Sequence, residues 1–333
     1  MNLPSITCAI CCHNSATRLP ETLRHLAEQR VSAEVAWEVL VVDNASTDDT
    51  ASVAQRCWTG PASVAFRVIS EAEAGVGFAR VRAIREAASD IVSFIDDDNW
   101  VCPDWVQKVS LFMAAHPEVG ALGGYNIPVA DGPFPIWFDS YRRYYAMAGD
   151  DPVEGDITDT NRMLVTAGMS LRKAAAQQLW SAGFRFSLKG RHGRALLSGE
   201  DQELCLALQL TGWRLWYSRD IWLRHFVPQN RLNASYARRL LRGIGQSSVL
   251  VDAYLQVLDQ RRGRTLQPHQ KYWLWRALAS LRDFCWFRLQ GRDIQAERAL
   301  GRLEMLCKMR GRYDTRVVEL AQAPWLKEAD AAS

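Results

Sequence analysis

The feature that most constrains the fold is residues 90–100, where an apolar run leads directly into Asp96, Asp97 and Asp98. A short, mostly apolar run of this length predicts a buried central strand. In an open α/β sheet, ligands bind at the carboxyl ends of such strands. Three adjacent carboxylates repel one another, and a divalent cation such as Mg2+ or Mn2+ removes that cost while also binding substrate phosphates. A solvated acidic turn before the next helix is the alternative.

The chain before this run alternates between strand and helix patterns. The predicted strands are 5–12, 37–42 and 65–69, and the predicted helices are about 19–29, 48–57 and 75–88. This alternation predicts a parallel, right-handed βαβ sheet. Beyond residue 100 we predict strands at 119–124, 163–170, 213–218 and 221–225, an irregular region over 127–159, and helices after about 233.

Composition limits the partners and the location. The chain has 333 residues and a net charge of +3, which gives no indication of a nucleic-acid partner. Its eight cysteines show no paired metal-ligand spacing, which indicates reduced thiols. We find no secretory leader pattern and no apolar run of the roughly 18 residues typical of a membrane span. We therefore expect a cytoplasmic protein.

Polar side chains follow the predicted strands where each strand ends. They are His13 and Asn14 after the first strand, Asp43 after the second, and Arg80 in the helix after the third. The carboxyl ends of parallel strands meet at one edge, so we expect these residues to converge with the three aspartates. Asp43 is suited to accept a hydrogen bond from a base N–H, and Arg80 to bind phosphate or base oxygens. For Asp43 a turn or a helix cap is the alternative.

A second acidic pair, Glu200 and Asp201, opens a predicted helix after the glycine-rich and basic loop 187–199. The helix dipole keeps a carboxylate ionised at that position, as a general base for a hydroxyl requires. A simple complement to the dipole is the alternative. His225 ends the last predicted strand and is either a buried polar residue or a metal ligand.

The order of these motifs resembles that of family 2 inverting nucleotide-sugar glycosyltransferases, which have the glycosyltransferase-A fold. The matching segments between residues 9 and 204 are AICCHNSATRLPETLRHLAEQ, EVLVVDNASTDDT, GVGFARVRAI, FIDDDNW and SGEDQEL. The resemblance implies an α/β fold with a mostly parallel, Rossmann-like sheet flanked by helices. It implies a catalytic domain over 1–245, with a nucleotide-binding half (about 1–125) and an acceptor half (about 126–245), and a helical C-terminal extension over 246–333.

The resemblance also implies roles for individual residues. Those expected to bind the nucleotide sugar are Cys12, His13, Asn14, Asp43, Arg80, Asp96 and Asp97. Those expected to bind the metal are Asp98, Asp96 and His225, and those expected to act in catalysis are Asp201, as the base, and Glu200 beside it. Asn44 departs from the family, which has a second aspartate there. Asp97 is the aspartate of the three that we expect to tolerate change best.

The implied reaction is an inverting transfer of a sugar from a nucleotide-sugar donor, with Mn2+ or Mg2+ as cofactor. Among nucleotide sugars, a UDP-sugar is the expected donor. The implied acceptor is a hydroxyl of a glycan, lipid-linked or protein acceptor in cell-surface polysaccharide or glycoconjugate synthesis. We expect the acceptor to contact residues 127–160 and 187–199, and basic side chains of the second segment to close over the diphosphate. The alternatives are a nucleotidyltransferase acting on sugar phosphates and a non-catalytic glycan- or nucleotide-binding relative.

Aromatic and basic residues alternate over 271–290 in the C-terminal region. This pattern predicts a helix on a membrane surface, with 266–290 contacting the inner face of the cytoplasmic membrane. It equally predicts a helix that packs on the catalytic domain or in a homodimer.

Overall fold

The structure is a computed structural model in which residues 3–147, 154–160, 162–188, 199–265, 267 and 271–326 are described. The chain divides into two compact units. The first contains Met1–Gln178 and Trp213–Pro228, and the second contains Leu179–Gly212 and Gln229–Ser333. The predicted boundary at residue 245 lies within a helix of the second unit, so the division by packing differs from the division by function, which stays a prediction.

The described strands of the first unit form one mixed sheet of nine strands. They are β1 Ile6–Cys12, β2 Trp37–Asn44, β3 Ala65–Glu71, β4 Ile91–Asp96, β5 Asn99–Val101, β6 Val119–Val129, β7 Gly155–Asp156, β8 Met169–Arg172 and β9 Arg214–Phe226. The strand order is β3-β2-β1-β4-β8-β6-β9-β5, and β7 pairs with β9. The helices that begin in this unit are α1 Leu19–Ala27, α2 Thr50–Cys57, α3 Val76–Glu86, α4 Trp105–Ala115 and α5 Lys173–Ser181.

The sheet is parallel across β3, β2, β1 and β4, which confirms the predicted βαβ order. It becomes antiparallel where β8 joins β4 and β6, so the sheet as a whole is mixed. Nearly every residue of β1 and β4 is buried, which explains their continuous apolar sequences, since a strand covered on both faces has no polar side. Leu19, Leu23 and Leu26 of α1 pack into the same core as β1.

Two predicted strands differ from the observed ones. The segments 213–218 and 221–225 form one continuous strand, β9, because its pairing with β6 shifts register between Tyr217 and Trp222 and accommodates the polar residues between them. The segment 163–170 becomes strand only at β8, because only Met169–Arg172 pair with β4 and β6.

The described part of the second unit is helical, as predicted for the C-terminal region. Its helices are α6 Glu200–Leu210, α7 Ala234–Arg261, α8 Trp273–Leu289, α9 Asp293–Met309 and α10 Gly311–Ala321. Helices α7 and α9 cross at Gly245 and Gly301, where an added Cβ would lie 2.1 Å from the carbonyl oxygens of Arg298 and Arg242, respectively. Within the described residues, none of the helices has the length and apolar character that crossing a bilayer requires.

Candidate active site

The carboxyl ends of β1, β2 and β4 bring three predicted site residues to one edge of the sheet. The strand register pairs Cys12 with Asp43, and Cys11 with Asp96. The two aspartates therefore end the strands on either side of β1, and neighbouring strands lie about 4.8 Å apart. The edge carries two carboxylates with a strand end between them.

Asp43 has one carboxylate oxygen that the fold leaves without a partner. Its Oδ1 is buried and accepts no hydrogen bond within the described part of the chain. A buried polar atom in this state costs free energy unless a ligand donates to it. The site is therefore suited to a ligand that presents an N–H group.

Hydrogen bonds hold the turn after β1 against the turn after β2. His13 Nδ1 donates to the carbonyl oxygen of Asn44 at 2.8 Å. Asn14 has a left-handed backbone (φ 50°), and its Oδ1 accepts from the backbone N–H of Thr47 at 2.8 Å. Asparagine tolerates this conformation better than most residues. The side chain of Asn14 is therefore engaged within the turn and positions the edge.

Asn44 is a positioning residue that the sequence showed only as a departure from the family. Its Nδ2 donates to the carbonyl oxygens of Glu71 and Glu73 at 3.2 and 2.7 Å. Its Oδ1 accepts from the backbone N–H of Gly75 at 2.8 Å. An aspartate could not donate the first two bonds. Asn44 thus fixes the segment that leads into α3.

Arg80 lies on α3 and is 9% exposed. Burial raises the pKa of the Cys11 thiol to about 12, while the Arg80 guanidinium acts to lower it and the Asp96 carboxylate to raise it. These three groups are therefore neighbours at the strand edge. A buried guanidinium beside strand ends is suited to bind phosphate oxygens.

Asp97 forms an ion pair that the sequence did not reveal. Arg18 Nη2 lies 2.5 Å from Asp97 Oδ2, and the two side chains are 25% and 13% exposed. Burial and the nearby Asp98 raise the pKa of Asp97 to about 6, against the opposing effect of Arg18. The expectation that Asp97 tolerates change best stays a prediction. The ion pair argues against it, because removal of the carboxylate would leave the partly buried Arg18 guanidinium without this partner.

A local feature of the sequence could have indicated that Arg18 has a specific partner. A basic residue at the N-cap of a helix is unfavourable to the helix dipole, and Arg18 occupies the N-cap of α1. Its partner lies 79 residues further along the chain, so the pair itself could not be predicted.

Pairing of β5 with β9 brings Asp98 and His225 together. Asn99 faces His225 in the register, and the N–H of Phe226 donates to the carbonyl oxygen of Asp98 at 2.9 Å. His225 Nε2 then lies 3.4 Å from Asp98 Oδ1, with the side chains 10% and 5% exposed. Two of the three predicted metal ligands are in contact, and the third, Asp96, ends β4 two residues earlier.

The side chains of Asp96, Asp98 and His225 are suited to bind a divalent metal ion. Carboxylate oxygen and imidazole nitrogen both suit Mn2+, and carboxylate suits Mg2+. Within the described ranges, no group of three His, Cys, Asp or Glu side chains could hold a metal by itself. Mg2+ typically takes only one or two protein carboxylates and completes its shell with water and substrate phosphates. The residues therefore fit an ion bound together with a diphosphate.

In the second unit, Glu200 and Asp201 begin α6 as the sequence predicted. Gly199, at φ 130°, adopts a conformation that side chains disfavour, which explains the glycine before the acidic pair. Its N–H donates to Glu200 Oε2 at 2.9 Å, and the N–H of Gln202 donates to Asp201 Oδ1 at 2.8 Å. Both carboxylates lie at the positive end of the helix dipole, a position that favours acidic side chains.

Glu203 is a buried residue of α6 that the sequence reasoning missed. It is 1% exposed and accepts hydrogen bonds from the backbone N–H groups of Ser187 and Leu188 at 2.9 and 3.0 Å, and from the Tyr254 hydroxyl at 2.5 Å. Burial and Glu203 raise the pKa of Tyr254 far above its usual range. Glu203 therefore ties the start of α6 to α7. A third acid in the first turn of α6 was the available signal.

The two segments predicted to contact the acceptor are described in part. Residues 148–153, 161 and 189–198 lie outside the described residues, including the basic side chains predicted to close over the diphosphate. In the rest, the Phe138 ring stacks on that of Phe134, with the ring centroids 4.4 Å apart, and its centroid lies 5.4 Å from that of Tyr145. Phe138 and Tyr145 are buried. Part of the aromatic content is thus a local core, whereas Ile136 is fully exposed.

Comparison with known proteins identifies the class. Residues 7–178, more than half of the chain, match the family model described as Glycosyl transferase family 2. The chain belongs to glycosyl transferase family 2 and is a glycosyltransferase. This confirms the resemblance seen in the motifs and disfavours the nucleotidyltransferase and non-catalytic alternatives.

Its relatives include a protein named for succinoglycan synthesis and a protein named as a glucuronosyltransferase. The succinoglycan biosynthesis protein ExoM of Rhizobium meliloti is 26% identical over 239 residues, which cover 69% of this chain and 70% of ExoM. The glucosyl-dolichyl phosphate glucuronosyltransferase of Haloferax volcanii is 24% identical over 162 residues, 47% of this chain and 49% of that protein.

Solved structures share the fold. Staphylococcus aureus TarS (residues 1–349), solved in complex with UDP, has a TM-score of 0.51 at 18% identity and covers 88% of this chain and 89% of that one. The mannosyltransferase PcManGT of Pyrobaculum calidifontis, solved with GDP-Man and Mn2+, has a TM-score of 0.55 at 17% identity. The match covers 99% of this chain and 86% of PcManGT. The predicted glycosyltransferase-A fold is confirmed.

Proposed function

We propose that this chain transfers a sugar from a nucleoside-diphosphate sugar to an acceptor hydroxyl, with inversion at the anomeric carbon and with a divalent metal. The observation that carries the proposal is the shared edge at the ends of β1, β2 and β4. Asp43 and Asp96 lie there in register on either side of β1, and Asp98 contacts His225 beyond β4. Such an edge is where open α/β sheets bind nucleotides.

The unpartnered Oδ1 of Asp43 supports a nucleobase with an N–H in its pairing edge. Uracil and guanine have a ring N–H in that edge, whereas cytosine and adenine have only an exocyclic amino group there. The two structural neighbours were solved with UDP and with GDP-Man, which agrees with this pair of bases. We propose a UDP-sugar as the donor, with the GDP-sugar as the competing outcome.

The diphosphate is proposed to be held by Arg80 and through a metal on Asp98, with Asp96 and His225 beside it. Mn2+ or Mg2+ held by these residues would stabilise the negative charge on the leaving diphosphate. Arg80 contributes a fixed positive charge to the same end, and its burial strengthens that contribution.

Asp201 is proposed as the general base, with Glu200 as its neighbour. Asp201 accepts the proton of the acceptor hydroxyl as the hydroxyl oxygen bonds to the anomeric carbon and the bond to the diphosphate oxygen breaks. A single displacement of this kind inverts the anomeric configuration. The names of the relatives support a glycan or lipid-linked glycan as acceptor in polysaccharide synthesis.

The base assignment is tested by separating transfer from donor binding. We expect Asp201→Asn to lower the rate of UDP release in the presence of acceptor glycans by about 100- to 10,000-fold, while the thermal shift induced by UDP-sugar with Mn2+ stays the same. Asp259→Asn, at a surface ion pair with Arg264 in the same unit, is the control and leaves both unchanged. Full transfer by Asp201→Asn would overturn the assignment.

A further inference from the structure

Helix α8 exposes several large apolar side chains that a helix packed only inside a protein would bury. Seven large apolar residues at its exposed face and N-terminal flank are at least 44% exposed. They are Tyr272 45%, Leu274 51%, Trp275 53%, Leu278 48%, Leu281 44%, Trp286 57% and Leu289 84%. Leu274, Leu278, Leu281 and Leu289 recur at intervals of three, four and eight residues, which places them along one side of a helix.

The opposite face of α8 packs on the other helices of its unit. Ala277 and Ser280 are its buried residues, and Arg276 forms an ion pair with Asp252 of α7 at 2.7 Å. Arg302 of α9 binds the same carboxylate at 2.7 Å. An ordinary surface helix buries its apolar face and exposes its polar one. Here large apolar side chains lie on both faces. Trp273, Phe284 and Phe287 are partly buried on the packed side, whereas the leucines, Trp275 and Trp286 are exposed.

Basic side chains accompany this exposed face. Residues 271–293 contain five Lys and Arg against two Asp, a net charge of +3. The exposed basic residues are Lys271, Arg282, Arg288 and Arg292. Arg282 forms an ion pair with Asp283, and Arg288 forms one with Asp293. Both acidic residues of the segment are therefore paired with arginine.

We propose that the exposed face of α8, formed by Leu274, Trp275, Leu278, Leu281, Trp286 and Leu289, binds the surface of an anionic phospholipid bilayer. The helix would lie in the plane of the interface along its length of about 25 Å. Leucines enter the acyl boundary, tryptophans occupy the headgroup level, and the basic residues contact anionic headgroups.

Charge argues for this occupant over a second copy of the chain. Arg276 pairs with Asp252 on the packed side, so the exposed side of 271–293 has four basic residues against two acidic ones, a net charge of +2. A symmetric dimer through this face would bring two such positive faces together, whereas an anionic bilayer complements their charge. The proposal does not depend on the donor or the acceptor of the reaction.

Vesicle co-sedimentation of the full chain tests the proposal. We expect the chain to bind vesicles of phosphatidylcholine with 30% phosphatidylglycerol, and to bind pure phosphatidylcholine several-fold more weakly. The double variant Leu278→Glu with Leu281→Glu is expected to lower binding to the anionic vesicles by about tenfold or more. Arg282→Gln with Arg288→Gln is expected to lower it by about tenfold and to reduce its sensitivity to salt.

The matched control is Leu111→Glu, which changes a leucine on α4 of the first unit that is 49% exposed, and it is expected to leave vesicle binding unchanged. Equal melting temperatures show that the variants fold. Absence of wild-type binding to anionic vesicles, or equal binding by the double leucine variant, overturns the proposal. A wild-type dimer that becomes monomeric in the leucine variant, without vesicle binding, assigns the face to self-association and also overturns it.

Discussion

Strand β2 carries a carboxylate near each end, and the fold treats the two differently. Glu38, near the amino end, is 5% exposed and accepts hydrogen bonds from Thr7 Oγ1 at 2.7 Å, the N–H of Ala88 at 2.8 Å and Arg67 Nε at 3.1 Å. Burial acts to raise the pKa of Glu38, but these bonds outweigh it and lower that pKa below its usual value. The Glu38 carboxylate is therefore fully satisfied within the fold.

Asp43, five residues later on the same strand, keeps a buried Oδ1 with no partner in the described part of the chain. The comparison teaches that one strand can hold a carboxylate for stability at one end and a carboxylate for a ligand at the other. Satisfied polar groups stabilise a fold, whereas an unsatisfied buried one is tolerated where it serves a ligand. Substitutions at the two ends should therefore affect different measurements.

The largest expected effect is at the carboxyl edge. Asp98→Asn keeps the shape of the side chain but removes the charge that would hold a divalent ion. We expect kcat/KM for transfer to fall by about 1,000-fold, since metal stabilisation of the transition state amounts to several kcal/mol. The melting temperature should change little.

Asp104→Asn is the matched control for Asp98→Asn. Asp104 belongs to the same unit and pairs on the surface with Lys108, so its loss should leave transfer unchanged. Equal transfer rates for Asp98→Asn and the wild type would contradict the proposed role of a divalent metal at Asp98.

Asp43→Ala should act on binding alone. Loss of a charged acceptor for the base N–H is expected to weaken UDP binding by roughly 10- to 100-fold, measured by calorimetry with Mn2+ present. Stability should stay the same or rise slightly, because the variant removes an unsatisfied buried oxygen. Asp49→Ala, at an exposed pair with Arg56 near the start of α2, provides the comparison. A large drop in melting temperature for Asp43→Ala would contradict the division between the two ends.

Glu38→Gln should act on stability alone. It weakens charge-assisted bonds and is expected to cost about 2 kcal/mol, which lowers the melting temperature by roughly 5 °C. UDP affinity should be unchanged.

The effect of Glu38 should depend on pH with a definite sign. Because its folded pKa is lowered, its stabilising contribution is complete above the unfolded pKa of about 4.3 and is lost as pH falls through the folded pKa. The melting temperatures of wild type and Glu38→Gln should therefore converge below about pH 4. A constant difference down to acidic pH would show that the carboxylate charge is not what stabilises this end.

The smallest expected effect is that of Asn44→Asp, which introduces the residue usual in the family. It removes two donated hydrogen bonds to Glu71 and Glu73 and should cost about 1–2 kcal/mol. UDP affinity should fall a few-fold, because Asn44 also fixes Gly75 before the helix that carries Arg80. Asn233→Asp is the comparison, because aspartate serves equally well at this helix N-cap and the variant loses only one exposed bond, donated to the carbonyl oxygen of Asn230; it should cost less than Asn44→Asp. A stabilised Asn44→Asp variant would contradict this reading of the turn.

The sequence predicted most of the first unit because its signals are local. Continuous apolar runs marked β1, β2 and β4, and their polar ends placed Asp43 and Asp96 at one edge. It failed for β9 and β8, whose extents depend on pairing with distant strands. No local pattern indicates that three polar residues between Tyr217 and Trp222 are accommodated by a register shift.

The contacts that position the site were the least predictable. Arg18 and Asp97 are 79 residues apart, and the bonds of Asn44 span 27 to 31 residues. Such pairs depend on the finished fold, so the sequence showed Asp97 as replaceable and Asn44 as a mere departure. The outward leucines of α8 were likewise visible as a pattern, but their exposure was not.

A crystal structure of the full chain with UDP and Mn2+ tests the central claim most directly. The account predicts an anomalous manganese signal at Asp98 and a uracil N–H donating to Asp43 Oδ1, with Glu38 unchanged at the other end of β2. A nucleotide bound away from the ends of β1, β2 and β4, or a uracil that leaves Asp43 without a partner, would contradict it.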